Sequence, residues 1–272
     1  MINQVSYCKI FFFLNSQIGL NLLKYFTVMN NKKLFIIALF SLLTLQSCEN
    51  TSKLSKNSMI LTGTVEGLRK GTLYLQKIQD STLVNIDSVV VNGNPEFQFK
   101  TQIESPEIYY LYLKKEDGDS LNDRILFFAE KGNITVNTLL KTFESSAKVK
   151  GSENQKLLQE YRKLAKQFNE KNLEYIQAYF TEAKEENNSK KLDSIQLAID
   201  NLLKRRYLYA LNFASTHGDN VIAPFIALTE VSDANIIFLD TVASKLTDKV
   251  KASKYGKEFI EFIATRKAKE AK

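Results

Sequence analysis

Lys148-Val149-Lys150-Gly151-Ser152-Glu153-Asn154-Gln155 (KVKGSENQ) divides the chain into two kinds of periodicity. Before it, apolar residues alternate in short runs; after it, they recur every three or four positions. Gly151 interrupts the extended run. Ser152, with Gln155 three residues later, fits a capping box at a helix start.

Toward the N-terminus, the apolar runs are Ile60–Val65, Gly71–Leu75, Val84–Val91, Phe97–Phe99, Ile108–Leu113, Ile125–Phe128 and Ile134–Val136, with Lys148–Lys150 as a last short strand. Turn signals separate them: Gly67, Asn92-Gly93-Asn94-Pro95, Glu116-Asp117-Gly118-Asp119 and Glu130-Lys131-Gly132-Asn133. Asn92-Gly93 is a hairpin cue because both residues tolerate positive φ, and Pro95 implies a loop longer than two residues. Seven or eight short strands predict an antiparallel β-sandwich or open barrel over residues 59–151.

Toward the C-terminus, Tyr161, Leu164, Phe168, Tyr175 and Tyr179 keep helical spacing up to a break at Asn187-Asn188-Ser189. A second stripe through Leu192, Ile195, Ile199, Leu202, Tyr209 and Phe213 ends at His217-Gly218, where Gly218 is placed as a C-terminal cap. Val221–Glu230 predicts a shorter helix with Pro224 in its first turn. A fourth helix starts at Ser232 or Asp233, and Tyr255-Gly256 precedes a fifth. The basic tail from Arg266 is expected to fray. The predicted class is α+β: a β domain over 59–151, then an all-helical domain over 152–272.

Met29 to Cys48 (MNNKKLFIIALFSLLTLQSC) has a basic head at Lys32 and Lys33, an apolar run from Leu34 to Leu45, and a cysteine three residues beyond it. The run is short of the ~20 residues a spanning helix needs. The order is that of a secretory signal peptide over 29–47. Residues 1–28 read as a mis-assigned upstream extension, since a start at Met29 gives a signal of ordinary length; the alternative is a real hydrophobic extension through Ile10–Phe13 and Ile18–Leu23, interrupted at Asn15, Ser16, Gln17 and Asn21. Residues 48–58 are polar and read as a flexible tether. Removing the signal takes away four lysines and no acid, so the formal charge falls from +7 to +3. Acids interleave with the remaining basic residues, which argues against a nucleic-acid footprint. The chain has two cysteines, Cys8 and Cys48, so no disulfide is available after processing.

The Leu45-Gln46-Ser47-Cys48 stretch resembles a bacterial lipobox, although Gln46 stands where a small residue is commoner. The resemblance implies that Cys48 carries the lipid and that the protein is held on the inner or outer membrane of the cell envelope. Further along, Gly63-Thr64-Val65-Glu66-Gly67, Gly71-Thr72-Leu73-Tyr74-Leu75, Ile86-Asp87-Ser88-Val89, Phe97-Gln98-Phe99 and Ser105-Pro106 follow in order. Phe128-Ala129-Glu130-Lys131-Gly132, Val149-Lys150-Gly151-Ser152-Glu153-Asn154 and Ser253-Lys254-Tyr255-Gly256-Lys257 continue the series. Together they resemble the amino-terminal domain of unknown function that precedes a thioredoxin-like (AhpC/TSA-type) domain in Bacteroidota envelope lipoproteins. The redox domain with its Cys-x-x-Cys is expected to be absent here, and thiol-disulfide activity is not carried over, because it needs a thiolate.

Few residues offer catalytic chemistry. His217 is the only histidine, in a Thr216-His217-Gly218-Asp219 turn; a metal site needs several convergent ligands and a triad a paired nucleophile, so a helix-end position near the C-terminal dipole explains it. Asp117, Gly118 and Asp119 lack the twelfth-position glutamate of a calcium loop, and Asp123 does not replace it. Asp87-Ser88 lacks a base. No catalytic residues, metal or cofactor are expected. Tyr109, Tyr110 and Tyr112 are the candidate contacts for a ligand or partner, with Tyr110 and Tyr112 on one strand face and Tyr109 on the other. If exposed, such aromatics stack on a sugar ring or a partner's side chain; the alternative places one row in the core and the other under the helices. The expected function is a non-catalytic binding or scaffolding module. The alternative is a truncated or split thiol-disulfide oxidoreductase-associated lipoprotein working with a separate thioredoxin-like protein.

Overall fold

In a computed structural model of the chain, residues 57–115, 124–185 and 188–271 are described. Cys8, Cys48 and the acidic segment with Asp117, Asp119 and Asp123 lie outside them. The strands are β1 (Ser58–Glu66), β2 (Lys70–Gln79), β3 (Thr82–Asn92), β4 (Glu96–Gln102), β5 (Glu107–Lys115), β6 (Arg124–Ala129), β7 (Gly132–Leu139) and β8 (Lys148–Lys150). They form two four-stranded sheets: sheet A in the order β4-β1-β7-β8 and sheet B in the order β3-β2-β5-β6. The α+β class is as expected, with antiparallel pairing everywhere except between β1 and β7, which run parallel.

Alternation selects the core. Met59, Leu61 and Val65 on β1 and Ile134 and Val136 on β7 are buried, and they face Leu73, Leu75, Leu111, Leu113 and Phe127 of sheet B. Each such side chain contributes about 1.5–3 kcal/mol when buried. One turn assignment changes. Asn92-Gly93-Asn94-Pro95 is not a hairpin turn: β4 pairs with β1 rather than β3, so the segment carries the chain from sheet B to sheet A. Gly93, at φ +91°, donates its N–H to the Arg69 carbonyl (2.7 Å) and holds that corner. The tight hairpin is β2–β3, turned by Asp80 and Ser81, both at positive φ.

The helices are α1 (Glu153–Glu182), α2 (Ser189–Thr216), α3 (Ile222–Glu230), α4 (Ile236–Lys245), α5 (Asp248–Lys251) and α6 (Lys254–Glu270). α1 and α2 form a long hairpin whose far turns bury nothing: no described residue between Ala165 and Leu202 is buried. The near turns pack with α3, α4 and α6 into a second core that also takes Ile108 and Phe128 from sheet B. Gly218 is not a left-handed cap. It sits where a Cβ would come within 2.2 Å of the Lys245 carbonyl oxygen, so its job is close backbone approach. α4 begins later than Asp233, at an Asn235 side chain that accepts from the Ile237 N–H (2.9 Å). Gly256 lies inside α6, which Ser253 caps, rather than ahead of it.

Two polar attachments join helices to sheet. Ser152 Oγ accepts from the Gln155 N–H (3.0 Å), but the Gln155 side chain does not close the capping box. Its Oε1 accepts instead from the Phe128 N–H (2.8 Å) on β6. Asn154 Oδ1 accepts from the Ile222 N–H (2.9 Å), supplying α3 with the cap its own Val221 cannot provide. Asn154 Nδ2 and the Glu153 N–H both donate to the Glu130 carboxylate (2.6 and 2.8 Å). At the other attachment, the Tyr255 hydroxyl accepts from the Ile108 N–H and Ser105 Oγ from the Lys254 N–H, both at 3.0 Å. Buried Glu107 pairs with Lys254 and with Lys77.

Folding shields three phenols: Tyr109 in the sandwich core, Tyr161 in the helical core and Tyr255 at the attachment. Burial pushes the Tyr109 hydroxyl up to about 12 from the ordinary 10, and Glu107 and Glu104 add to it. Burial likewise raises Tyr161 and Tyr255. A raised tyrosine means the folded protein holds its proton more tightly than the unfolded chain. The corresponding stability is present in full below pH 10 and is lost as pH rises toward about 12. Unfolding by circular dichroism should therefore set in across that interval, together with late tyrosinate absorbance. Ionisation of every phenol near the ordinary value, with the native spectrum retained, would contradict the burial of these groups.

Candidate functional site

The three tyrosines of β5 part company. Tyr109 points into the sandwich core, 2% exposed, with its ring edge-on to Phe127. Tyr110 is half-buried and packs against the helical core. Tyr112 lies one step further along the same outer face, where its half-buried ring stacks on Tyr74 and Arg124 rather than on the helical core.

Strand register builds a row across all four strands of sheet B. Ser88 pairs with Tyr74, Tyr74 with Tyr112, and Tyr112 with Arg124. The two tyrosine rings stack with centroids 6.0 Å apart and planes 29° apart. The Arg124 guanidinium carbon lies 5.1 Å from the Tyr112 ring centroid, a cation–π contact. The next row fixes this one. Gln76, only 7% exposed, accepts from Arg124 Nε through Oε1 (3.2 Å) and donates through Nε2 to Asn85 Oδ1 (2.8 Å). A register shift between Leu75 and Gln76 aligns Gln76 with Asn85 and passes over Ile86.

The other candidates take structural places. His217 Nδ1 is 2.8 Å from the Phe213 carbonyl oxygen, and its ring packs on Phe213 at the end of α2. Asp87 Oδ1 accepts from the Ser88 N–H (2.7 Å). Among the described residues no group of three His, Cys, Asp or Glu side chains is placed to hold a metal ion, and no helix is long and apolar enough to cross a membrane. The outer face of sheet A carries a shallow groove of about 470 Å³ lined by Thr62, Thr64, Glu96, Gln98, Thr135 and Asn137; Phe97, which also lines it, is buried, so no exposed aromatic ring faces it.

The sequence reading did not find Tyr74, Gln76, Asn85 or Arg124 as site residues. The alternation of Leu73, Tyr74 and Leu75 places Tyr74 on the outer face, but its partners depend on register between distant strands. The architecture is that of a two-sheet sandwich joined to a helical layer, with an aromatic–arginine row on the outer face of sheet B. Residues 59–158 match a protein family described as a domain of unknown function (DUF4369). No curated protein matches the chain.

Proposed function

We propose that the protein is a membrane-anchored, non-catalytic binding or scaffolding module of the cell envelope. The observation that carries the binding part is the Ser88–Tyr74–Tyr112–Arg124 row, a pre-oriented aromatic and cationic surface of the sort used for recognition. The anchoring part rests on the signal-like order of residues 29–47 and on Cys48 at its end. Two acyl chains, at ~0.8 kcal/mol per buried methylene, hold a protein on a bilayer without a spanning helix. The Bacteroidota setting, and an association with a separate thioredoxin-like protein, belong to this proposal through the sequence resemblance.

Each part has its own test. Cys48→Ala should abolish incorporation of a palmitate analogue in growing cells; equal labelling of wild type and variant would remove the lipid anchor from the reading. A photo-crosslinking residue at Tyr112 should capture an envelope component. The same residue at Leu173, an exposed position on α1, is the control, and equal capture at both positions would remove the binding surface.

A further inference from the structure

We infer that the Tyr74–Tyr112–Arg124 row recognises an acidic saccharide, a sugar ring that carries a carboxylate. This rests on the reading of the protein as a binding module and names its ligand class. Three features of the row lead there.

The first is an oriented cation. Arg124 is fixed by stacking on Tyr112 and by the hydrogen bond from its Nε to Gln76, and no hydrogen bond among the described residues uses the two terminal nitrogens of the fork. Among the described residues no carboxylate pairs with it, and Lys114, exposed in the next row beyond Thr72, adds positive charge. A planar guanidinium held this way matches a carboxylate through two parallel hydrogen bonds.

The second is an aromatic face. Tyr74 stacks on Tyr112 with one side of its ring, so the other side looks toward β3. The residue opposite it there is Ser88, whose small side chain leaves room above the strand. The C–H face of a pyranose stacks on such a ring.

The third is the polarity of the surround. Ser88, Asn85 and Thr72 border the rings with hydroxyl and amide groups that match sugar hydroxyls, while Gln76 is buried and occupied by Arg124 and Asn85, and exposed Val90 opposite Thr72 adds an apolar neighbour. A peptide anchors through an apolar side chain in a fully desolvated pocket, and this flat sheet face offers none. The groove on sheet A has the hydroxyls and amides but neither the exposed ring nor the stacked cation, so it lacks the features that select an acidic sugar.

The test is calorimetric titration of the full chain with galacturonate, glucuronate and mannuronate oligomers, with their methyl esters as neutral counterparts, and with tetraglutamate. At least one uronate oligomer should bind, and its methyl ester should bind roughly tenfold more weakly, since one charge-assisted bidentate contact is lost. Arg124→Gln should impose a similar loss on the acid and little on the ester. Ser88→Trp, which fills the space over Tyr74 and leaves Arg124 in place, should abolish binding of both; thermal melts confirm that each variant is folded. Acid and ester binding alike, or uronate binding that survives Ser88→Trp, overturns the assignment of this row. Binding of tetraglutamate without any uronate overturns the saccharide and leaves the binding reading intact. No binding in any arm overturns the saccharide, and selective crosslinking at Tyr112 then decides separately whether the module binds something else.

Discussion

Gly63→Val should cost the protein more than about 3 kcal/mol and sharply lower the yield of folded chain. Gly63 lies on β1 between Phe97 of β4 and Val136 of β7. A Cβ built there would stand 1.8 Å from the Val136 carbonyl oxygen and 2.7 Å from the tip of the Phe97 ring. The ring can turn; the carbonyl belongs to the β1–β7 ladder and cannot move without breaking the parallel pairing at the centre of sheet A. Gly63→Ala already meets this clash, so it should lower the melting temperature by several degrees, at about 2–4 °C per kcal/mol for a domain of this size. Gly93→Ala is the useful comparison. It has open space but φ +91°, so it should show only the conformational penalty of about 1–2 kcal/mol. Melting of Gly63→Ala at the wild-type temperature would mean that the two strands are not packed this closely.

The glycine at position 63 also shows what was legible beforehand. Alternation located the strands and the change of period located the helices, because those are local consequences of a pleat and of a 3.6-residue turn. Asn92-Gly93 carries a hairpin signal because local turn chemistry is the same whether the next strand pairs back or crosses to the other sheet. Asp80-Ser81 went unnoticed because neither residue is glycine, although both adopt positive φ. The parallel β1–β7 pairing follows from contacts between residues some seventy positions apart, which no local pattern encodes. For the same reason Tyr112 was visible as a candidate while Tyr74 and Arg124 were not: a row across four strands is a property of register. Gln155 illustrates the limit differently. Its spacing from Ser152 suits a capping box, yet the unpaired N–H of Phe128 on the sheet edge takes its side chain instead.

That diversion of Gln155 bears on where the folding unit ends, and a fragment of residues 57–158 should not fold. The family match stops at residue 158, early in α1. Ile108, Phe128, Leu157 and Leu158 are all buried, and their neighbours are in α2, α3, α4 and α6. Phe128 is fully buried, with ring centroids 5.5 Å from Phe225 and 6.2 Å from Tyr255. Exposing four such side chains costs about 6–12 kcal/mol at 1.5–3 kcal/mol each. That is as large as the whole stability of a typical domain, about 5–15 kcal/mol. Phe128→Ala in the full chain probes the same coupling more gently: it should cost about 3–5 kcal/mol. The strand and helix signals should still be lost in a single urea transition, since sheet and helices share that ring. A 57–158 fragment with dispersed amide resonances and a cooperative melt, or a Phe128→Ala variant whose helices unfold while the sheets stay native, would separate the two layers. In that case the matched segment would be a domain in its own right, and the Asn154 and Gln155 contacts would be docking rather than folding interactions.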